Sequence, residues 1–434
     1  MRILGIGDCN DLAAMYAGMQ TRGHEVRVFV RDVASHGVFS GMLARTCDWS
    51  QELGWIREAG DEGLIIFETA DQGDVQDQLR ADGFQVIGGS ALGDRLEGDR
   101  EYGQSVLRQA GLHTAPSHAF RSYQEALDFL ATKRGRYVLK FNGTNSPRTK
   151  NYIAQTSDSR DLASLLHFHA SHDPQDGPVD FVLMQHIDGI EIGVGGYFNG
   201  REFLETACID FEHKRFFPGD IGELTGEMGT VVSYDGSAKL RDLVLRPLTD
   251  VLREGRYCGY INVNLMATSE GLWPLEFTSR FGYPGYAICE QLHCEPWEGI
   301  FLTMLRRRAV RFDTAGGFAV GLVLTVPPFP YQQGYSEISK GVPIFLDEGM
   351  SSAERAAIAF SEVELRQGDL ITSGTCGYLG VATGRGATVG AARRQALHLA
   401  RQVYVPNLRY RNDIGVQVSD KQLEQLREWG YLSG

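Results

Sequence analysis

INVNLMATSEGLWPLEFTSRFGYPG, residues Ile261 to Gly285, is the stretch from which the fold can be read. It divides into two short apolar runs, Ile261–Ala267 and Leu272–Thr278, joined by a turn at Ser269-Glu270-Gly271. That pattern predicts a β-hairpin. Period-2 alternation places Asn262 and Asn264 on one face of the first strand, and Glu276 and Thr278 on one face of the second. A carboxylate beside amide and hydroxyl oxygens suits Mg²⁺, which takes hard oxygen donors and shares them with substrate phosphates. Arg280, two residues beyond Thr278, is placed to brace a phosphate. By spacing alone, a plain hairpin with a solvated polar face fits slightly better than a metal site.

Composition narrows the function classes. The 434 residues are 43% hydrophobic and 22% charged, with a formal net charge of −13. That length predicts two to four domains by the size rule of roughly 100–200 residues each. The acidic balance argues against general nucleic-acid binding. No apolar run approaches a membrane span. The start, MRILGIGD, enters a strand at once, without a signal-peptide layout. Seven cysteines without regular spacing imply free thiols in a reducing, cytoplasmic setting. Cys289, His293 and Cys294 cluster, but their spacing matches packing better than zinc.

LEFTSRFGYPG resembles the metal-binding signature of the glycinamide ribonucleotide synthetase (phosphoribosylamine–glycine ligase) family of ATP-grasp enzymes. The family pattern is Glu-Phe-Asn, then Cys-Arg-Phe-Gly-Asp-Pro. Glu276, Arg280, Phe281, Gly282 and Pro284 match; Thr278 stands at the metal-binding Asn and Tyr283 at the Asp. The resemblance implies an α/β chain in three parts. These are an N-terminal parallel-sheet domain (1–97), a two-lobed ATP-grasp module (98–312, small lobe about 115–187) and a C-terminal α+β domain (313–434).

The rest of the chain follows the same pattern. Strands are expected at Arg2–Ile6, Val26–Val30, Leu64–Glu68 and Phe84–Ile87, with a helix burying Leu12, Met15, Tyr16 and Met19, capped by Asp8 or Asn10. Such alternation predicts a parallel sheet. Gly5-Ile6-Gly7 lacks the third glycine of a dinucleotide fingerprint. The family's loop here is Gly-Gly-Arg-Glu-His. In this chain the arginine is gone, and Asp8 and Asp11 bring carboxylates to the helix start.

A helix is expected at Arg100–Ala110, with Arg100 where the family has a phosphate-reaching Lys. Strand Tyr137–Phe141 carries Lys140 amid apolar residues, which the resemblance assigns to ATP phosphates. The loop 142–150, with Gly143, Ser146, Pro147, Thr149 and Lys150, corresponds to the family's phosphate cover. Gln185, His186 and Ile187 stand at the adenine hinge, and Glu191 at the ribose ligand.

CIDFEHKRFFPGDIGELTGEMGTVV, Cys208 to Val232, is similar to a second family block. It implies substrate contacts from Asp210, His213, Lys214, Arg215, Thr225, Gly226 and Met228. An amphipathic helix is expected at Leu240–Gly255. Tyr410, Arg411, Asp413, Ile414 and Gly415 match the family's closing segment.

The implied function is ATP-dependent amide formation between small-molecule carboxylate and amine substrates, through an acyl phosphate. Arg280, Lys140 and Asp210 would be catalytic. Glu276, Asn264 and Thr278 would hold Mg²⁺ or Mn²⁺. The loop carboxylates lead us to expect a non-standard amine rather than phosphoribosylamine. Authentic phosphoribosylamine–glycine ligation and nucleotide binding without turnover are the alternatives. The chain is expected to be a monomer or homodimer.

Overall fold

The computed structural model describes residues 1–142, 150–172, 179–307 and 309–433. The expected phosphate-cover loop, apart from Asn142 and Lys150, lies outside them.

Five parallel strands open the chain: β1 (Arg2–Gly7), β2 (Glu25–Val30), β3 (Ala44–Arg45), β4 (Gly63–Phe67) and β5 (Val86–Ile87), in the order β3-β2-β1-β4-β5. β4 is buried along its whole length, because helices cover both faces of such a sheet. α1 (Ala13–Thr21), α2 (Leu53–Glu58) and α3 (Gly73–Ala81) are the connecting helices. The chain winds outward from β1 in both directions, so the crevice beyond the β1 and β4 carboxyl ends is a topological switch point. α1 buries Met15, Tyr16 and Met19 as expected, but neither Asp8 nor Asn10 caps it. Asn10 turns away and donates from Nδ2 to the Val38 carbonyl.

α4 (Ala91–Gly98) and α5 (Arg100–Gln109) lead into a four-stranded sheet of β6 (Ser117–Phe120), β7 (Tyr137–Phe141), β8 (Tyr152–Ile153) and β9 (Phe181–Gln185). α6 (Tyr123–Thr132) and α7 (Arg160–His172) pack on it around Leu139, Leu162, Leu166 and Phe181.

The largest sheet has eight strands in the order β16-β15-β10-β11-β14-β17-β22-β19. Its strands are β10 (Ile190–Phe198), β11 (Phe203–Glu212), β14 (Gly229–Ser233), β15 (Gly259–Thr268), β16 (Gly271–Thr278), β17 (Phe318–Thr325), β19 (Ile358–Phe360) and β22 (Tyr378–Gly386). β12 (Arg215–Phe217) and β13 (Ile221–Leu224) form a small hairpin beside it. Two further ladders pair β18 (Phe345–Leu346) with β23 (Val403–Tyr404), and β20 (Val363–Arg366) with β21 (Asp369–Thr372).

The opening hairpin is β15–β16, at the sheet edge. That position tolerates Pro274, whose missing N–H would break an inner ladder. β14 pairs with β17, so the C-terminal segment extends the eight-stranded sheet across residue 313 instead of starting a sheet of its own. The helix expected over 240–255 is broken into short turns. A π turn at Arg241–Leu245 precedes Pro247, which has no N–H to continue the ladder. Among the described residues, no helix is long and apolar enough to cross a membrane.

Candidate active site

Register sets the centre of the site. Asn262 lies opposite Thr278 and Asn264 opposite Glu276 across β15–β16. On the other side of β15, Gly193 of β10 sits between Asn264 and Asp210 of β11. A Cβ at Gly193 would lie 2.2 Å from an Asp210 carboxylate oxygen, so the missing side chain is what lets that carboxylate lie across the sheet.

Glu276 collects three cations from separate segments. Arg100, the first residue of α5, lies 3.7 Å away; Lys140 of β7 lies at 3.8 Å and Lys214 at 3.9 Å. At such separations, with an effective dielectric of about 20, each pairing is worth roughly 4 kcal/mol before desolvation. Lys214 also holds Glu191 at 2.6 Å and Glu212 at 3.1 Å. Burial opposes the Lys214 charge, but Glu191, Glu212 and Glu276 outweigh it and keep its pKa well above the ordinary value. Lys140 moves the other way: burial lowers its pKa, Arg100 and Lys214 add to the effect, and Glu276 only partly offsets it. A buried lysine weakly held by its own chain is well prepared for an incoming polyanion.

Asp210 is buried, and Asn262 Nδ2 donates to its Oδ2 at 2.6 Å. Asp210 Oδ1 and Asn262 Oδ1 have no hydrogen-bond partner among the described residues. Burial raises the Asp210 carboxyl to about 7, with Glu212 adding to the rise.

In the neighbouring block both ring nitrogens of His213 are engaged by backbone: its Nδ1–H donates to the Phe211 carbonyl, and its Nε2 accepts the Gly415 N–H. Burial, with Arg411 nearby, lowers its pKa and keeps it neutral for that double role. Met228 is fully buried against Phe216 and Phe329, so it is core. Thr225 donates to the Lys214 carbonyl and fixes the backbone there. Arg215 donates to the Gly222 carbonyl within the β12–β13 hairpin, and Gly226 lies close to the Tyr378 hydroxyl. Arg411, fully buried, joins Asp220 to Asp413, tying that hairpin to the closing segment.

Arg280 is tied to a different carboxylate from Lys140. Its Nε lies 3.1 Å from Glu97 Oε1, while the Ser279 N–H donates to Glu97 Oε2 at 2.8 Å. It also faces Asp11 of the N-terminal crevice. Arg280 thus belongs with the N-terminal side of the site rather than beside Lys140.

Residues 98–286 match the family model for the ATP-grasp (A) domain of phosphoribosylglycinamide synthetase. That stretch is an ATP-grasp domain. It is 27% identical to the phosphoribosylamine–glycine ligase of Thermotoga maritima over 74% of this chain and 78% of the relative. It is 26% identical to that of Pseudomonas aeruginosa over 79% of each. The crystal structure of the Thermotoga maritima ligase superposes with a TM-score of 0.72 over 95% of this chain and 100% of that one, at 23% identity. A biotin carboxylase subunit of pyruvate carboxylase shares the fold more distantly, with a TM-score of 0.55 at 12% identity over 100% of this chain and 99% of that chain. Those ligases are ADP-forming carbon–nitrogen ligases, and this ATP-grasp chain is an enzyme of that class.

The Gln185 and His186 N–H groups donate to the Pro116 and Arg136 carbonyls at 2.8 Å each, which fixes the expected hinge against the residues entering β6 and β7. His186 lies 3.4 Å from Asp188, and burial lowers its pKa. Lys150 stacks over the Phe141 ring at 5.9 Å. The donor set fits a hard divalent cation: Glu276 and Asn264 are direct cross-strand partners, Thr278 is on the same face as Glu276, and Glu212 accepts from Asn264 Nδ2 at 3.2 Å. Sequence reasoning missed Glu97 and Glu212 as members. Glu97 lies 183 residues from Arg280, and its opposite charge was the only available signal.

Proposed function

We propose that this ATP-grasp enzyme activates a small amino acid as an acyl phosphate and passes the acyl group to an amine. The gathering of Arg100, Lys140 and Lys214 on Glu276 carries this reading. A carboxylate oxygen of the substrate attacks the γ-phosphorus of ATP, and ADP leaves. Lys140 and Lys214 hold the phosphoryl oxygens as charge develops. Glu276, Asn264 and Thr278 would hold Mg²⁺ (or Mn²⁺), which supplies charge neutralisation between the phosphates. The amine nitrogen then attacks the acyl carbon and phosphate leaves. Asp210, whose Oδ1 is unpartnered, accepts the proton released by nitrogen. Glu191 and the hinge carbonyls of Gln185 and His186 take the ribose and adenine.

The relatives' names support glycine and phosphoribosylamine as substrates, ahead of the non-standard amine expected from the loop charges. The structure also weakens that expectation at one position, because Asp8 is neutralised by Arg31 at 2.6 Å. One observation favours the second reading: Asp11 remains in the crevice, facing Arg280. We read the chain as cytoplasmic from its seven free thiols, and as a monomer or homodimer. Glycine-dependent ADP release with phosphoribosylamine generated in situ tests the first reading. A rate no higher than with ATP alone would reject it.

A further inference from the structure

A cavity of about 370 Å³ opens where the N-terminal domain meets the β10–β11 turn and the entry to β15. Four arginines line it: Arg80 from α3, Arg253 and Arg256 from the end of the helix Thr249–Glu254 and the turn after it, and Arg307 just past the helix Trp297–Arg306. Among the described residues, no Asp or Glu lines it, and Phe84, Val86 and Leu305 supply apolar surface. The cavity is separate from the site on Glu276. Cys258, which lines it, precedes Asn264 by six residues, about 20 Å of extended strand.

Two of the four guanidiniums are committed to the chain. Arg80 pairs with Asp77 at 3.1 Å and donates to the Val86, Arg256 and Cys258 carbonyls. Arg253 pairs with Asp250 at 2.6 Å and donates to the Arg201 carbonyl. Arg256 and Arg307 differ: both are exposed, and neither forms an ion pair among the described residues. Arg307 gives only its Nε to the chain there, on the Asn199 carbonyl at 3.3 Å. Both stand in left-handed backbone, at φ 53° and 51°. A cation at a helix C-terminus is ordinary, but Gly or Asn fits that backbone better, so the backbone does not account for arginine at either position. Gly200 lets Arg307 close in, since a Cβ there would lie 3.3 Å from its Nη2. Arg80 and Arg307 both bear on the buried Cys258 thiol, so guanidiniums from two distant segments meet over one residue. The buried Asn199 has its Oδ1 taken by the Arg201 and Glu202 N–H groups, which leaves Nδ2 as a further donor.

We propose that this cavity is a second ligand site, which binds the phosphate group of a small phosphate monoester. Two guanidiniums without carboxylate partners match a monoester's charge of about −1.5 to −2 near neutrality, and each planar fork can hold two phosphate oxygens. The organic part of the ester lies on Phe84, Val86 and Leu305. The volume falls within the range of small-molecule sites, about 300–1,000 Å³. A ligand held there ties the N-terminal domain to the entry of β15, the strand that carries Asn262 and Asn264.

The test is calorimetric titration of the full chain with ribose 5-phosphate and, separately, with adenosine monophosphate, which carry the same phosphate on a sugar and on a nucleoside. The comparison is the double variant Arg256→Asn with Arg307→Asn. Both positions are exposed and Asn tolerates left-handed backbone, so the variant should fold. With at least one of the two ligands, the wild type should bind one equivalent that the double variant lacks or binds at least tenfold more weakly. The ligand that shows the difference identifies the source as a sugar phosphate or a nucleotide. That equivalent should persist in Lys140→Met, whose change lies in the proposed ATP site. Equal stoichiometry and affinity in the wild type and the double variant for both ligands would overturn the proposal, because any binding would then belong to the site on Glu276. Loss of the equivalent in Lys140→Met would overturn it too. If the double variant does not fold, either single variant is read in the same way.

Discussion

Arg280 Nε lies 3.1 Å from Glu97 Oε1, across 183 residues of sequence. The pair joins the end of α4 to the segment after β16, and both side chains are about three-quarters buried. Removing one partner strands the other's charge. Glu97→Gln should therefore destabilise the fold by about 2–3 kcal/mol, read from the urea midpoint. Combining it with Arg280→Met should recover part of that loss, and strict additivity would show that the pair is not coupled.

Glu276→Gln should lower the urea midpoint, because it strands the charges of Arg100, Lys140 and Lys214, and the folded variant should release ADP about 10²–10³-fold more slowly, the scale of losing one electrostatic catalytic group. Turnover within a factor of a few of wild type would remove Glu276 from the site.

Lys140→Met should weaken ATP binding more than it changes stability. Burial lowers the Lys140 pKa, so its charge costs the apo fold something that binding polyphosphate would offset. Calorimetric titration of the variant should show ATP affinity down by about tenfold or more, roughly 1.4 kcal/mol. An unchanged affinity would return Lys140 to a structural role.

His213→Asn should lower stability by about 1–2 kcal/mol, because Asn cannot reach the Phe211 carbonyl and the Gly415 N–H together. Substrate KM values should stay within about twofold. A large KM change with stability kept would restore His213 to the substrate.

The Asp210 carboxyl, at about 7 when folded, ordinarily ionises near 3.8. The folded state therefore binds this proton more tightly than the unfolded state does. Its contribution to stability is fully present below about pH 4 and is lost as pH rises toward 7, by roughly 4 kcal/mol at most. Asp210→Asn should flatten that slope. It should also remove an acid limb near pH 7 from the kcat profile, since only the ionised carboxylate can take the amine's proton. A wild-type profile flat from pH 6 to 8 would contradict this role (the range is about one unit either side of the carboxyl's own value).

Local pattern carried much of the architecture. The alternation in Ile261–Thr278 foretold the strands and faces that set Asn264 opposite Glu276, and Lys140 stood out as a charge inside the apolar run of β7. Long-range pairing was not legible. Nothing in the periodicity of β17 says that it joins β14, so the sheet's continuation past residue 313 came only from the structure. The same holds for Glu68 on the α1 amides: residue identity suggested local caps at Asp8 and Asn10, and a carboxylate 57 residues away from Asp11 took the position instead. His213 looked like chemistry because it matches the family block and precedes a glycine-rich loop, whereas the backbone partners of both its ring nitrogens, Phe211 and Gly415, were not legible in the sequence.

The central claim is an acyl phosphate formed where Lys140, Lys214 and Glu276 meet. The most direct measurement follows oxygen from the carboxylate. With ATP, glycine labelled with ¹⁸O in its carboxyl group, and hydroxylamine as the amine, attack on the γ-phosphorus makes one carboxylate oxygen a phosphate oxygen. Mass spectrometry should find one ¹⁸O in each inorganic phosphate released with ADP and hydroxamate. Hydroxamate formed alongside unlabelled phosphate, or label recovered in AMP, would contradict the account.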